Sequence, residues 1–201
     1  MRLALLLVLG FGAALLLVRN AAAQTENIEV RGKNPVEARF LPQGNIRMSL
    51  CPGSVHLVGR DDSLLRVSYQ THSGGDEDVH VRVQVSGEEA GIRVTGCPHN
   101  NFQLTVEVPR SSNLYVRMFA GEMNVNGISG DKDVELHAGQ LNIELGKPED
   151  YAHVDASVFS GDLEASAFDV SKGGLFRSFD RSGPGKYRVH AHVGAGQIEL
   201  R

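Results

Sequence analysis

The segment HAGQLNIEL, residues 137–145, decides the fold because the chain repeats it with small changes. The other copies are FAGEMNV from Phe119, FSGDLEA from Phe159 and GAGQIEL from Gly194. Each copy has a small residue before a glycine, then a polar residue, then apolar residues two positions apart. The shared glycines are Gly121, Gly139, Gly161 and Gly196. They are 18, 22 and 35 residues apart, and the last spacing leaves room for a degenerate copy at Gly174. Such recurrence indicates a structural repeat.

Alternating apolar residues also precede each glycine, as in the run from Leu114 to Met118. A unit of about twenty residues with two short strands and a glycine corner is typical of a β-solenoid or β-roll, in which each turn lies on the previous one. Glycine permits a corner with positive φ, and the small residue beside it lets turns approach to roughly 4.8 Å. The sequence therefore predicts an all-β chain whose residues 113–201 form a β-solenoid-like or β-roll-like repeat of short strands.

The earlier part of the chain has strands without this repeat. Valines at alternate positions from Val79 to Val85 predict a strand with one buried and one hydrated face. SGGDED from Ser73 and GEEAG from Gly87 predict turns between neighbouring strands. We therefore expect residues 40–112 to be rich in antiparallel hairpins.

The N-terminus has the pattern of a secretory signal peptide. Arg2 precedes an apolar stretch, residues 3–18, and three alanines then provide an A-x-A cleavage site. The alternative is a retained membrane anchor, although the stretch is shorter than the roughly 20 apolar residues that span a bilayer. The predicted segments are a signal peptide (1–23), an N-terminal extension (24–39) and a β-repeat domain (40–201).

Charge limits the partners of the exported chain. Without the signal peptide it has 18 basic and 24 acidic residues. This balance argues against nucleic acid or an anionic membrane surface as the main partner. The basic residues are scattered along the sequence and form no basic stripe.

Two cysteines support an oxidising compartment. Cys51 and Cys97 each follow a predicted strand and precede a proline. An even pair in an exported protein predicts a disulfide, because exported proteins fold outside the reducing cytosol.

Four runs of sequence resemble a known family. They are VPRSSNLYVRMFAGEMNVNGISG from Val108, VELHAGQLNIEL from Val134, VFSGDLEA from Val158 and YRVHAHVGAGQIELR from Tyr187. Together they are similar to the bacterial β-strand-repeat domain family of putative adhesins, a family of unknown function, over about residues 40–201. The resemblance implies an exported, non-enzymatic domain without catalytic or cofactor residues. Related domains occur in regulators of envelope-stress signalling.

These observations give an ordered set of functions. The first is an adhesin-like structural or interaction module of the bacterial cell envelope, located in the periplasm, outside the cell or on its surface. It would bind an envelope or surface protein or a polymer, and no cofactor. The second is an accessory regulator of envelope-stress sensing, and the third is a polysaccharide-active enzyme.

The enzyme alternative rests on carboxylates beside the repeated glycines. Glu122 and Asp162 follow two of them directly, and Glu144 and Glu164 lie nearby. Paired carboxylates hydrolyse glycosidic bonds. The other two copies, however, have Gln140 and Gln197 at the position of Glu122. We therefore expect polar outer-face residues and no catalytic site.

Two histidines are candidate metal ligands. His190 and His192 are two residues apart, so they lie on one face of a strand and could bind a metal with His137 or His153. The alternative is an ordinary exposed polar face opposite Val189 and its neighbours. We favour this alternative and predict no metal site.

Six residues are candidates for partner contact. Phe119, His137 and Phe159 occupy one place in the repeat, so they form a column if the copies stack, either as a contact surface or as packing between strands. The segment FDRSGPGKY, residues 179–187, is the least regular stretch and predicts a loop. Its candidates are Asp180, Arg181 and Lys186. The alternative for this segment is a plain connector.

Overall fold

The computed structural model describes residues 25–31, 34–71 and 78–201. The predicted signal peptide lies outside these residues. Within them the chain forms thirteen strands that belong to one mixed sheet, as the all-β prediction requires. No helix in this described part combines the length and apolar character that crossing a membrane demands. The strands are β1 (Thr25–Arg31), β2 (Val36–Arg39), β3 (Asn45–Leu50), β4 (Gly53–Arg60), β5 (Leu64–Gln70), β6 (His80–Ser86), β7 (Glu89–Thr95), β8 (Gln103–Pro109), β9 (Asn113–Asn126), β10 (Lys132–Ile143), β11 (Tyr151–Ala165), β12 (Val170–Ser182) and β13 (Tyr187–Leu200).

The repeated segments form long bent strands. β9, β10, β11 and β13 contain 14, 12, 15 and 14 residues, and each continues through its glycine. This corrects the predicted pair of short strands in each unit. In β9 the buried positions before the glycine are Leu114, Val116 and Met118, whereas those after it are Met123 and Val125. The buried face therefore changes from even to odd positions at the glycine.

Backbone pairing aligns the glycines of neighbouring strands. The row, from one strand to the next, is Gly53, Gly121, Gly139, Gly196, Gly161 and Gly174. All six have positive φ, between 115° and 153°. A Cβ on Gly139 would lie 1.9 Å from the carbonyl oxygen of Gly121, and a Cβ on Gly196 would lie 1.8 Å from that of Gly139. Both the φ angle and the neighbouring backbone thus require glycine here.

This glycine row divides the sheet into two halves. The first half contains β1, β6, β7, β3 and the parts of β9, β10, β13 and β11 that precede their glycines. The second half contains β2, β5, β8, β4 and the parts of those long strands that follow. The buried side chains of both halves belong to one hydrophobic core. The outer face of each half is consequently left for polar residues.

The repeats do not stack in the order in which they occur in the sequence. The spatial order is β9, β10, β13, β11 and β12, so β13 lies between β10 and β11. A short 3-10 turn, Ser166–Phe168, reverses the chain after β11, and β12 therefore pairs with it in the antiparallel sense. The degenerate copy at Gly174 pairs with Gly161 in this hairpin. The other edge of β11 is occupied by β13, in parallel.

Residues 40–112 are less rich in hairpins than predicted: β5 with β8 and β6 with β7 are antiparallel, whereas β3 with β7 and β4 with β8 are parallel. The strands of the predicted N-terminal extension pair in the antiparallel sense, β1 with β6 and β2 with β5. β6 and β7 form the hairpin predicted at Gly87. The strands on either side of SGGDED are not neighbours, contrary to the prediction, because β5 and β6 belong to different halves of the sheet. β1 and β2, from the predicted N-terminal extension, also pair within this sheet.

A disulfide joins Cys51 to Cys97, with their Cα atoms 6.1 Å apart. Cys51 directly follows β3, and Cys97 lies two residues beyond β7. Because β3 and β7 are parallel neighbours, the bond links the same end of two adjacent strands.

Candidate functional site

The outer face of the first half carries rows of side chains that run across the strands. One row contains Arg82, Arg93, Ser49, Arg117, Glu135, His192, Ser157 and Ser178. The next row contains Gln84, Gly91, Arg47, Tyr115, Asp133, His190, Asp155 and Asp180. The arginines of both rows, three in the first and one in the second, lie on β6, β7, β3 and β9, whereas the carboxylates and histidines lie on β10, β13, β11 and β12. The face is therefore electrostatically divided.

The basic side contains an open groove of about 600 Å³, which we call the arginine groove. The residues that characterise it are Arg47, Arg82, Arg93, Arg117 and Tyr115. Arg82 and Arg93 lie directly opposite each other in the β6–β7 hairpin. The guanidinium carbon of Arg47 lies 4.6 Å from the ring centre of Tyr115, in a cation–π contact. The sequence, read as scattered basic residues, gave no sign of this cluster.

Arg117 stands at the boundary between the basic and acidic sides. Its Nη1 lies 2.9 Å from Asp133 Oδ1, and its Nη2 lies 3.0 Å from Glu135 Oε1. Its guanidinium therefore neutralises two carboxylates that follow on β10. Arg117 also donates a hydrogen bond to the carbonyl oxygen of Val116.

The two histidines on β13 have separate partners. His190 Nδ1 lies 3.0 Å from Asp155 Oδ2, and His192 Nδ1 lies 2.9 Å from the hydroxyl oxygen of Ser157. The possible third ligands are elsewhere, since His153 pairs with Asp180 and His137 stacks on Phe119.

A different group could in principle hold a metal ion. Ligand atoms of Asp133, Glu135 and His190 lie within 4.8 Å of one another. Both carboxylates are, however, paired with the guanidinium of Arg117. A metal ion would have to compete with that cation for its ligands.

Exposed aromatic side chains lie along the first half, beside the glycine row. Phe119, His137, Phe159 and Phe176 occupy matching positions on β9, β10, β11 and β12, and we call them the aromatic ridge. Phe119 stacks on His137 with ring centres 4.9 Å apart, and Phe159 meets Phe176 edge-on at 4.7 Å. Phe119, Phe159 and Phe176 are 65%, 52% and 73% exposed.

The ridge is interrupted on β13. Gly194 occupies the matching position there, and a Cβ on it would lie 2.4 Å from the carbonyl oxygen of His137. The structure thus brings Phe119 to His137 but leaves Phe159 across a gap from them. A second groove, of about 550 Å³, runs beside this gap and is bounded by Phe119, His137 and Gly194.

The backbone of Phe176 is unusual. Its φ is +54°, which is uncommon for a bulky side chain and costs conformational energy. This conformation places an exposed ring against Phe159. Phe176 cannot be picked out from the sequence, because the antiparallel β12 lacks the repeat that marks the other strands.

The predicted loop over residues 179–187 is largely strand. β12 continues to Ser182 and β13 begins at Tyr187, so only four residues connect them. Its three candidates do not converge, since Asp180 and Arg181 are consecutive strand residues and point to opposite faces. Asp180 pairs with His153, whereas the guanidinium carbon of Arg181 lies 4.7 Å from the ring centre of Phe168. Lys186 lies over the ring of Tyr187.

The carboxylates of the enzyme alternative lie on the second half. Glu122 and Asp162 share a register row but are three strands apart. At roughly 4.8 Å between strands their backbones are about 14 Å apart. Paired glycosidase carboxyl groups are about 5–9.5 Å apart. Glu122 also accepts a hydrogen bond from Asn124.

One ionisable side chain is buried in the core. Lys132 is 1% exposed, and its ammonium donates hydrogen bonds to the carbonyl oxygen of Gly130 at 3.0 Å and to Tyr151 Oη at 2.8 Å. Burial lowers the pKa of Lys132 to about 8, and burial also raises the pKa of Tyr151. Tyr151 donates its own proton to the carbonyl oxygen of Leu145. The ammonium is satisfied inside the protein and has a structural role.

The fold defines an all-β protein built on one open mixed sheet that bends at a row of glycines. No family model matches the chain, and neither does any curated protein. A crystal structure described as "a putative cell adhesion protein" from Clostridium sporogenes is similar over 89% of this chain and 99% of its own. The two share 11% sequence identity with a TM-score of 0.51, so the similarity concerns the fold.

Proposed function

We propose that this protein is an exported, non-enzymatic adhesin-like module that holds an envelope or cell-surface protein or polymer on its outer sheet face. The similarity of its fold to that of the protein described as "a putative cell adhesion protein" supports this role. The Cys51–Cys97 disulfide supports export, because structural disulfides persist in oxidising compartments.

The observation that carries the proposal is the aromatic ridge. Three phenylalanine rings are more than half exposed: Phe159 and Phe176 lie on neighbouring strands, and Phe119, stacked on His137, lies three strands from Phe159 in the same register row. Clustered exposed apolar surface marks interaction sites, and aromatic side chains supply much of the energy at interfaces. The unusual φ of Phe176 strengthens this reading, because the fold tolerates a strained backbone to display the ring.

The non-enzymatic part of the proposal has separate support. The carboxylates beside the repeated glycines are spread along a row of strands, and Gln140 and Gln197 stand between Glu122 and Asp162. This arrangement suits a polar contact surface better than acid–base catalysis on a single bond.

The test is retention of the purified exported protein by cell-surface material, with three proteins compared. We expect wild type to be retained and the F119S/F176S variant to lose at least about tenfold in affinity, as for two contact residues in an interface. L41S is the control, because Leu41 is 54% exposed away from the ridge. Equal retention of all three proteins would contradict the proposal. Capture of one membrane protein without any polymer would instead favour the accessory regulator of envelope-stress sensing.

A further inference from the structure

We propose that the arginine groove binds a segment of an acidic polysaccharide, a polymer with a carboxylate on its sugar units. The inference goes beyond the proposed function, because it assigns a second binding site and names the chemical class of its ligand. It concerns a different part of the outer face from the aromatic ridge.

The first argument is the concentration of positive charge. The whole chain has a net charge of −4, yet four guanidinium groups surround this single groove. Arg82 and Arg93 lie opposite each other on neighbouring strands, so two of these guanidinium groups are at one side of the groove.

The second argument is how these charges are neutralised within the chain. Arg117 is committed to Asp133 and Glu135, and Arg47 rests on the ring of Tyr115. Among the residues whose side chains the structure describes, no carboxylate forms an ion pair with Arg47 or Arg93. These two guanidinium groups are therefore available to an external anion.

The third argument is geometry. Arg47 and Arg93 lie on adjacent strands and are offset by two residues, which separates their backbones by about 7–8 Å. Each guanidinium can bind a carboxylate through two parallel hydrogen bonds. Two carboxylates on successive parts of one flexible polymer could therefore each bind one of these guanidinium groups. Tyr115 adds an amphipathic ring that can contact both the apolar and hydroxyl-bearing parts of a sugar.

The charge on either side of the arginine groove indicates the path of the polymer across the sheet. A smaller groove of about 340 Å³, lined by His80, Arg82, Arg93 and Thr95, continues the basic surface along β6 and β7. On the opposite side the strands carry carboxylates: Asp133, paired with Arg117, lines that end of the groove, and Asp155 lies two strands further on. The polymer would therefore run from Arg117 towards His80, away from the acidic strands.

The same features disfavour other polyanions. An extended peptide gains affinity by pairing with a sheet edge, whereas this groove lies on a sheet face and offers no free backbone. A nucleic acid would carry dense charge past the groove and over the acidic side.

The experiment measures binding of polygalacturonate to the exported protein, with neutral dextran and polyglutamate as comparison polymers. We expect wild type to bind polygalacturonate, to bind polyglutamate at least about tenfold more weakly and not to bind dextran. The R47A/R93A variant should lose roughly tenfold or more in affinity. R177A/R181A removes the same charge from β12 and should bind as wild type does. R47K/R93K keeps the positive charge but cannot form the paired hydrogen bonds of a guanidinium group, so its affinity should be intermediate.

Absence of polygalacturonate binding, equal binding of polyglutamate, or equal binding by R47A/R93A would each overturn the inference. Folding of each variant is checked by its circular dichroism spectrum, and the single variant R93A replaces the double variant if the latter fails to fold. The F119S/F176S variant separates the two proposals. It should bind polygalacturonate normally even where it is no longer retained by cell-surface material.

Discussion

The position that a Cβ would take on Gly139 lies 1.9 Å from the carbonyl oxygen of Gly121 on the neighbouring strand. Gly139 also has φ of +130°, which an L-amino acid with a side chain rarely adopts. Two independent constraints thus act on one residue, and the same combination recurs at Gly161 and Gly196. The glycine row is what lets the long strands bend while they remain paired.

The G139A variant should consequently be strongly destabilised. The added methyl group would clash with the backbone of Gly121, and the alanine would have to adopt an unfavourable φ. We therefore expect the free energy of unfolding to fall by about 3 kcal/mol or more. Urea unfolding followed by circular dichroism measures this loss.

Two other glycines separate these causes. Gly87 has φ of +59° with no atom near the new methyl group, so G87A should lose only about 1 kcal/mol. Gly91 has neither constraint, and G91A should be neutral or slightly stabilised. A G139A variant no less stable than G91A would refute the role assigned to the glycine row.

The β-structure of the repeat and its shared glycine could be predicted from the sequence. The strands follow from local alternation, and the shared position accepts only glycine. It did not predict that β13 lies between β10 and β11. That order depends on the turn at Ser166–Phe168, which sends β12 to the outer edge of β11. Nothing in the spacing of the glycines reports which edge a later strand will occupy.

Replacing Phe176 by glycine tests whether its ring is displayed for binding. Glycine adopts the φ of +54° without strain, so F176G should be as stable as wild type or up to about 1 kcal/mol more stable. It should nevertheless be retained less by cell-surface material. Thermal unfolding and the retention assay measure the two effects.

The neighbouring Leu175 provides the matched comparison. It is also exposed, at 57%, but its φ is not among the positive values. L175G should therefore lose about 0.5–1 kcal/mol through the greater flexibility of glycine in the unfolded chain. A loss in F176G as large as that in L175G would argue against strain at Phe176.

Lys132 should make stability depend on pH in a defined direction. Its pKa is about 8 in the folded protein and 10.5 in the unfolded chain, so the unfolded state binds more protons between these values. The contribution of Lys132 to the free energy of unfolding therefore becomes more favourable as the pH rises through 8 and less favourable as the pH falls. Between pH 6.5 and 9.5, the gain is about 2 kcal/mol for wild type relative to K132M.

Urea unfolding of both proteins at several pH values measures this difference. The comparison with K132M cancels the titration of the other groups that the two proteins share. The range stops below pH 10 because Tyr151, whose pKa is raised, begins to reduce stability there. A difference that stays constant from pH 6.5 to 9.5 would contradict the assignment of a desolvated ammonium.

Removal of Arg117 should create a metal site. In R117A the carboxylates of Asp133 and Glu135 lose their cation, while Asp155 still orients the ring of His190. A histidine supported by a carboxylate and two further carboxylates are common zinc ligands. Calorimetric titration should show zinc affinity at least about tenfold higher than in wild type. The R117A/H190A variant should lose this gain. Equal zinc affinity in wild type and R117A would contradict the claim that Arg117 competes with a metal ion for the two carboxylates.

The site itself was much less predictable than the strands. Phe119, His137 and Phe159 could be named from the sequence because they occur in the repeat. Arg47, Arg93 and Arg117 could not, since they are far apart in the chain and become neighbours only through the pairing of β3 with both β7 and β9. For the same reason Asp180, Arg181 and Lys186, although close in sequence, do not form one site.

Hydroxyl-radical footprinting of the purified protein bound to cell-surface material tests the proposed binding face most directly, because oxidation reports the accessibility of each side chain. We predict that Phe119, Phe159 and Phe176 are oxidised less in the bound protein, whereas Leu41 is oxidised equally in the free and bound states. Protection of Leu41 with unchanged oxidation of the three phenylalanines would contradict the binding face proposed for this protein.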